Sequence, residues 1–177
     1  NSMMDQICEK RMEIVAENLP VVVKDGSDIA ARAKMQAAAC MGGWSLTNVY
    51  ANVGHSLAHV VGANYHLVHG SACSYGLPPV LKHIAPAVPQ KVRRIGEILG
   101  ASFTGSETPE EIGVKAADAY ISFRDGLGMP SVKEANIVVE DLDTLATLVV
   151  NEPFAQLTPM PVDKDAAAKM LREMLAL

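Results

Sequence analysis

The sequence predicts an all-α fold, and three observations carry that expectation. Alanine and methionine are abundant while aromatic residues make up only 5% of the chain, a composition suited to packed helices. The only strand-like stretches, Val21–Val23 and Ile137–Val139, are short and isolated and cannot build a sheet on their own. Capping residues, glycines and prolines punctuate the chain at helix-length intervals.

The elements follow in order. Ile7, Met12, Ile14, Val15 and Leu19 place apolar side chains on one side of a first helix, which Pro20 is expected to help end. VVVKDGSD then reads as a turn with an N-cap at Ser27 or Asp28. Ile29 to about Val49 is a long helix of small residues, whose Ala, Gly and Ser positions predict close helix neighbours and a central place. Gly42-Gly43 reads equally well as a simple break in it. A helix over 54–61 should break near Gly62, and Pro78-Pro79 and Pro86/Pro89 should bracket short helices. Leu99-Gly100 closes another, with glycine just past the end. Thr108-Pro109-Glu110-Glu111 is a capping box that opens a helix to about Phe123. Asp141 starts a helix to Val150, and Asp163 caps the last, AAAKMLREMLAL. No internal repeat or flexible linker divides the chain, so residues 1–177 are expected to form one helical domain.

Bulk composition excludes several classes. Hydrophobic residues at 49% and charged residues at 20% rule out a disordered segment. Fifteen basic and twenty acidic residues give a net charge of −5, and no basic run exceeds the pairs Lys10-Arg11 and Arg93-Arg94, so no nucleic-acid partner is expected. No apolar run has the length to span a bilayer, and NSMMDQICEKRMEIV turns charged where a signal peptide would be apolar. Cys8, Cys40 and Cys73 form no CxxC pair; they read as reduced thiols in packing positions of a cytoplasmic protein. There is no GxGxxG, no Walker A and no strand–helix alternation, hence no dinucleotide-binding half within these residues.

Chemistry concentrates in GHSLAHVVGANYHLVHG, residues 54–70, which holds four of the five histidines. On a helix, His55 and His59 lie on one face about 40° apart, and His69 follows past the break at Gly62. Two imidazoles from one helix and a third folding back could ligate a divalent ion. HxxxH by itself is a weak signal, since a lone histidine pair on a helix is usually hydrogen-bonded structure, and Ser56 stands where a zinc-protease HExxH has its glutamate. His66 and His83 read as surface residues or supports rather than ligands. No aspartate, glutamate or cysteine lies inside the stretch, so the residues offer only part of the donor set that a catalytic metal takes.

NVGHSLAHVVGANYHLVHGSACSYGLPPVLKH resembles the signature of the iron-containing (group III) alcohol dehydrogenases, a helical GxxHxxxHxxGxxxxxxHG followed by LPxV. The likeness extends through LPVVVKDGSDIAARAKMQAAACMGGWSLTNV before it, and through IGEILGASFTGSETPEEIGVKAADAYISFRDGLGMPSVKE and LTPMPVDKDAAAKMLREML after it. The resemblance implies the helical C-terminal part of such an enzyme. It makes His55 and His69 the two later metal ligands, and His59 the histidine beside the nicotinamide, with a proton-relay or positioning role. Val68 stands where the family often has proline. The family's first two ligands, an aspartate and a histidine four residues on, have no counterpart here: Asp5 aligns past that position, with no histidine after it.

The resemblance further implies hydride transfer between a small primary alcohol or its aldehyde and NAD or NADP, with a divalent metal, iron or alternatively zinc, at the histidines. The 177 residues alone are then expected to be an inactive fragment. The rival expectation is a free-standing helical module for binding or homo-oligomeric self-association, keeping the shape without the catalysis.

Overall fold

The computed structural model describes residues 2–135, 137, 139 and 141–176. Eight α-helices run through them: α1 Ser2–Lys24, α2 Ile29–Val49, α3 Val53–Tyr65, α4 His69–Ile84, α5 Pro89–Ile98, α6 Pro109–Gly126, α7 Leu142–Asn151 and α8 Lys164–Leu175. Short 3-10 turns occupy Val132–Ala135 and Pro153–Leu157, and no strand occurs among the described residues. The all-α expectation holds. Val21–Val23 is the end of α1, not a strand. Ile137 and Val139 pack partly buried against the core; Val138 lies outside the described residues. Among the described residues no helix is long and apolar enough to cross a membrane.

The helix starts follow the predicted caps. Asp28, Asp141 and Asp163 each accept a hydrogen bond from the backbone N–H three residues on. Thr108 and Glu111 close the reciprocal capping box at 3.2 and 2.8 Å. Thr108→Ala should therefore cost about 0.5–2 kcal/mol, read as a lower denaturation midpoint. An unchanged midpoint would mean that α6 needs no cap.

Pro86 and Pro89 mark a helix boundary as expected, α4 ending at Ile84 and α5 opening at Pro89, but the expectations for Pro20 and Pro78-Pro79 fail. α1 continues past the exposed Pro20 to Lys24, and α4 runs unbroken through the buried Pro78-Pro79. Proline removes one helical hydrogen bond and crowds the preceding turn. In α4, which packs against α3, α6 and α8, the core burial of Ala72 and Tyr75 before the prolines and of Val80, Leu81 and Ile84 after them outweighs that cost. Gly42-Gly43 does not break α2 either. Gly42 instead makes room for the Arg11 guanidinium, which a Cβ there would meet at 3.1 Å.

The central helix is α4, which touches α3, α5, α6 and α8. α2, expected to be central, buries only Ala31, Ala38 and Ser45, a stripe of one residue in seven, and its helical partner is α1. Its small residues do permit close packing, but on one side only. Around α4, Val53, Leu57 and Val61 of α3 meet Ala72, Val80 and Leu81 of α4 and Leu171 and Met174 of α8 in one buried apolar cluster. The α1–α2 hairpin joins α5 along a charged seam: Arg94 donates to Glu9 at 3.0 Å and Glu13 at 2.7 Å, and Lys91 donates to Asp5 at 2.7 Å.

Ahead of α6 lies a second charge cluster. The side chain of Glu107, only 5% exposed, accepts from Lys115 at 2.6 Å and from the backbone N–H groups of Thr104 and Gly105 at 2.8 and 3.0 Å. The Lys115 hydrogen bond, then the Thr104 N–H, hold this carboxyl well below the usual glutamate range. A depressed folded pKa adds stability that is complete above the unfolded value and lost as pH falls through the folded one. The stability gap between the native chain and Glu107→Gln should accordingly shrink as pH drops below about 4.5. Urea midpoints measured across that range test it, and a pH-independent gap would contradict it.

Candidate metal centre

The site begins with the turn between α3 and α4. α3 runs past Gly62 to Tyr65, so the break falls three residues later than expected. A Cβ at Gly62 would make only ordinary contacts, 3.5 Å from the Leu67 carbonyl oxygen and 3.9 Å from Ala72 Cβ. The reversal is made by His66, whose backbone is left-handed at φ 55°, ψ 34°, an uncommon state for a non-glycine residue. His66 is thus an exposed turn residue whose conformation returns the chain so that His69 opens α4 beside α3. His83 lies elsewhere, its Nε2 3.2 Å from the Pro161 carbonyl oxygen.

His55, His59 and His69 come together. The ring centroids of His55 and His69 lie 5.0 Å apart, those of His55 and His59 5.4 Å, and those of His59 and His69 5.5 Å. The Nε2 atoms of His55 and His69 face each other at 3.3 Å. Two ligands about 2.1 Å from one ion and a tetrahedral angle apart are separated by about 3.4 Å, so this pair fits a shared divalent cation. Burial, then the neighbouring His69 and His59, lower the pKa of His55. That favours the neutral imidazole, the form with a lone pair to give.

Three further neighbours lie outside the histidine stretch 54–70. Glu152, just past α7, places Oε2 3.1 Å from His59 Nδ1. A carboxylate acceptor at Nδ1 selects, in the neutral ring, the tautomer with its proton on Nδ1 and its lone pair on Nε2. Phe154 presents its ring edgewise to His55, at 5.6 Å, and lies tilted against His59 at 5.8 Å. Cys73, one turn after His69 on α4, sets its Sγ 3.5 Å from His69 Nε2; burial pushes its thiol pKa up. The HxxxC spacing of His69 and Cys73 was the available signal for Cys73. Glu152 is 93 residues from His59 and had none. Ser56, in the place of the HExxH glutamate, is fully buried in the core.

The cluster separates two clefts. One of about 610 Å³ is lined by His59, His69 and Glu152, with Leu148 and Leu67 at its sides. The other, of about 760 Å³, lies between the α1–α2 hairpin and α3–α4, with His55, Cys73 and Tyr120 in its wall. Each cleft gives a small molecule access to at least one of the histidines.

Comparison with known proteins agrees with this architecture. A model of the Fe-containing alcohol dehydrogenase family, C-terminal, matches residues 1–175. Alcohol dehydrogenase 4 of Saccharomyces cerevisiae is 28% identical over 174 residues, covering 98% of this chain and 44% of the yeast protein. The NAD-dependent methanol dehydrogenase of Bacillus methanolicus is 28% identical over 172 residues, covering 97% of this chain and 45% of its own. The structure of an alcohol dehydrogenase from Oenococcus oeni superposes with a TM-score of 0.89 at 24% identity, covering 98% of this chain and 45% of that one; at that identity the likeness speaks for the fold. The chain spans less than half the length of these relatives.

Proposed function

This chain belongs to the iron-containing alcohol dehydrogenase family, matching its C-terminal part, and from that premise we propose that residues 1–177 form one helical domain holding the metal and the substrate of an NAD(P)-linked alcohol dehydrogenase. The observation that carries the reading is the approach of His55 and His69 Nε2 at 3.3 Å, with His59 beside them.

His55 and His69 would hold a divalent cation, Fe²⁺ or Zn²⁺. When bound, such an ion supplies Lewis acidity that lowers the pKa of an alcohol hydroxyl and polarises the aldehyde carbonyl. His59, fixed by Glu152 with its Nε2 free, accepts the hydroxyl proton during oxidation and returns it during reduction. Phe154, packed on His55 and His59, limits how far the rings can turn and keeps water from that side. The nicotinamide would receive the hydride close to His59, and nothing in the described helices provides a phosphate-binding glycine loop for the rest of NAD or NADP.

The test uses the 177-residue chain. Equilibrium dialysis with Fe²⁺ under anaerobic conditions should show binding, and alcohol oxidation with NAD or NADP should be undetectable. Absence of any divalent-ion binding would sink the metal assignment, and turnover by this chain alone would sink the need for a further nucleotide-binding element. A second reading, a homo-oligomeric module without catalysis, draws on Trp44, Leu46, Val49 and Tyr50, which leave the end of α2 with large exposed apolar side chains. Sedimentation of the purified chain separates the two readings: a metal-independent oligomer that binds no cation favours the second.

A further inference from the structure

We propose that Cys73 is a third protein donor to the cation held by His55 and His69, making the site a His2Cys centre suited to a borderline ion such as Zn²⁺ or Co²⁺. The inference rests on the reading of His55 and His69 as ligands. It adds a donor that the spacing of the histidines does not contain.

One imidazole nitrogen each of His55 and His69 and Sγ of Cys73 all lie within 4.8 Å of one another. His69 Nε2 and Cys73 Sγ are 3.5 Å apart. A nitrogen at about 2.1 Å and a sulfur at about 2.3 Å from one ion, at a tetrahedral angle, stand about 3.6 Å apart. The donors come from two helices: His69 and Cys73 share a face of α4 four residues apart, and His55 faces them from α3. Both helices are anchored in the apolar core by Leu57, Val61, Ala72 and Val80, so the arrangement is supported from behind. Cys73 faces the larger cleft, which gives an ion a way in. Its thiol gives up its proton to solvent as the sulfur–metal bond forms, since the thiolate is the ligating form. A thiolate biases selection toward softer ions than iron's usual oxygen and nitrogen donors do.

The test is an anaerobic Co²⁺ titration of the full 177-residue chain. Visible d–d bands report cation binding by any donor set, and a near-ultraviolet charge-transfer band reports a thiolate ligand. Both sets should appear in the native chain. Cys73→Ser should lose the near-ultraviolet band and keep the visible bands, while Cys8→Ser and Cys40→Ser keep both. X-ray absorption of the native chain loaded with Zn²⁺ should show a sulfur shell at about 2.3 Å, a readout independent of whether any variant folds. Visible bands with no charge-transfer band or sulfur shell overturn the proposal and leave the histidine assignment standing. A charge-transfer band that survives in Cys73→Ser overturns it too. Absence of any Co²⁺ signal overturns both.

Discussion

His69→Ala should weaken divalent-metal binding by at least about a hundredfold, because losing even a group that only supports a ligand costs 10–100-fold. His69 is the joint of the site: its Nε2 is the atom near both His55 Nε2, at 3.3 Å, and Cys73 Sγ, at 3.5 Å. Its loss leaves the other two donors without a shared centre. His69 is also exposed and opens α4, so its removal should leave the fold intact. Saturating Zn²⁺ should raise the melting temperature of the native chain, since a ligand that binds only the folded state stabilises it, and leave that of His69→Ala unmoved. His66→Ala, three residues away, should retain the metal response. Equal responses from both variants would mean that the ion binds elsewhere.

The largest expected loss of stability comes from Gly113→Ala. α6 crosses the central α4 at Gly113, where an added Cβ would fall 2.9 Å from Ala85 Cβ and 3.0 Å from Lys82 Cα. Neither atom belongs to a flexible side-chain end, so the helices must separate. Overpacking of this kind costs about 1–3 kcal/mol. Gly126→Ala, at the end of the same helix, meets nothing within 4 Å and should gain some stability from alanine's helix propensity. Thermal unfolding of the two variants should move in opposite directions. If Gly113→Ala melted like the native chain, the α4–α6 contact would be looser than its geometry implies.

What could be read from sequence divides by range. Asp28, Thr108, Asp141 and Asp163 were legible because a cap is written within four residues of chain. Pro20 and Pro78-Pro79 misled because proline states a local cost, while helix continuation is decided by packing that the sequence does not display. The turn at His66 was hidden for the converse reason: its left-handed backbone sits on a residue that does not advertise one. His55 and His59 were visible because helical spacing puts them on one face. Cys73 carried the same spacing relative to His69, but a buried thiol reads first as packing. Glu152 and Phe154 reach the histidines only through the docking of the α7 end against α3, and no short stretch of sequence contains that.

The charged seam beneath the α1–α2 hairpin gives the larger cleft two walls of different stiffness. α3 and α4 form one wall, backed by a close-packed apolar core. The hairpin forms the other, joined to α5 by Arg94 and Lys91 pairs whose side chains are 39–57% exposed apart from Glu13, and such pairs are weak and screened by salt. Heat therefore loosens the histidine-bearing wall only together with the whole fold, whereas added electrolyte relaxes the opposite wall first. Ionic strength is therefore expected to act on the hairpin wall of the cleft before the histidine-bearing wall.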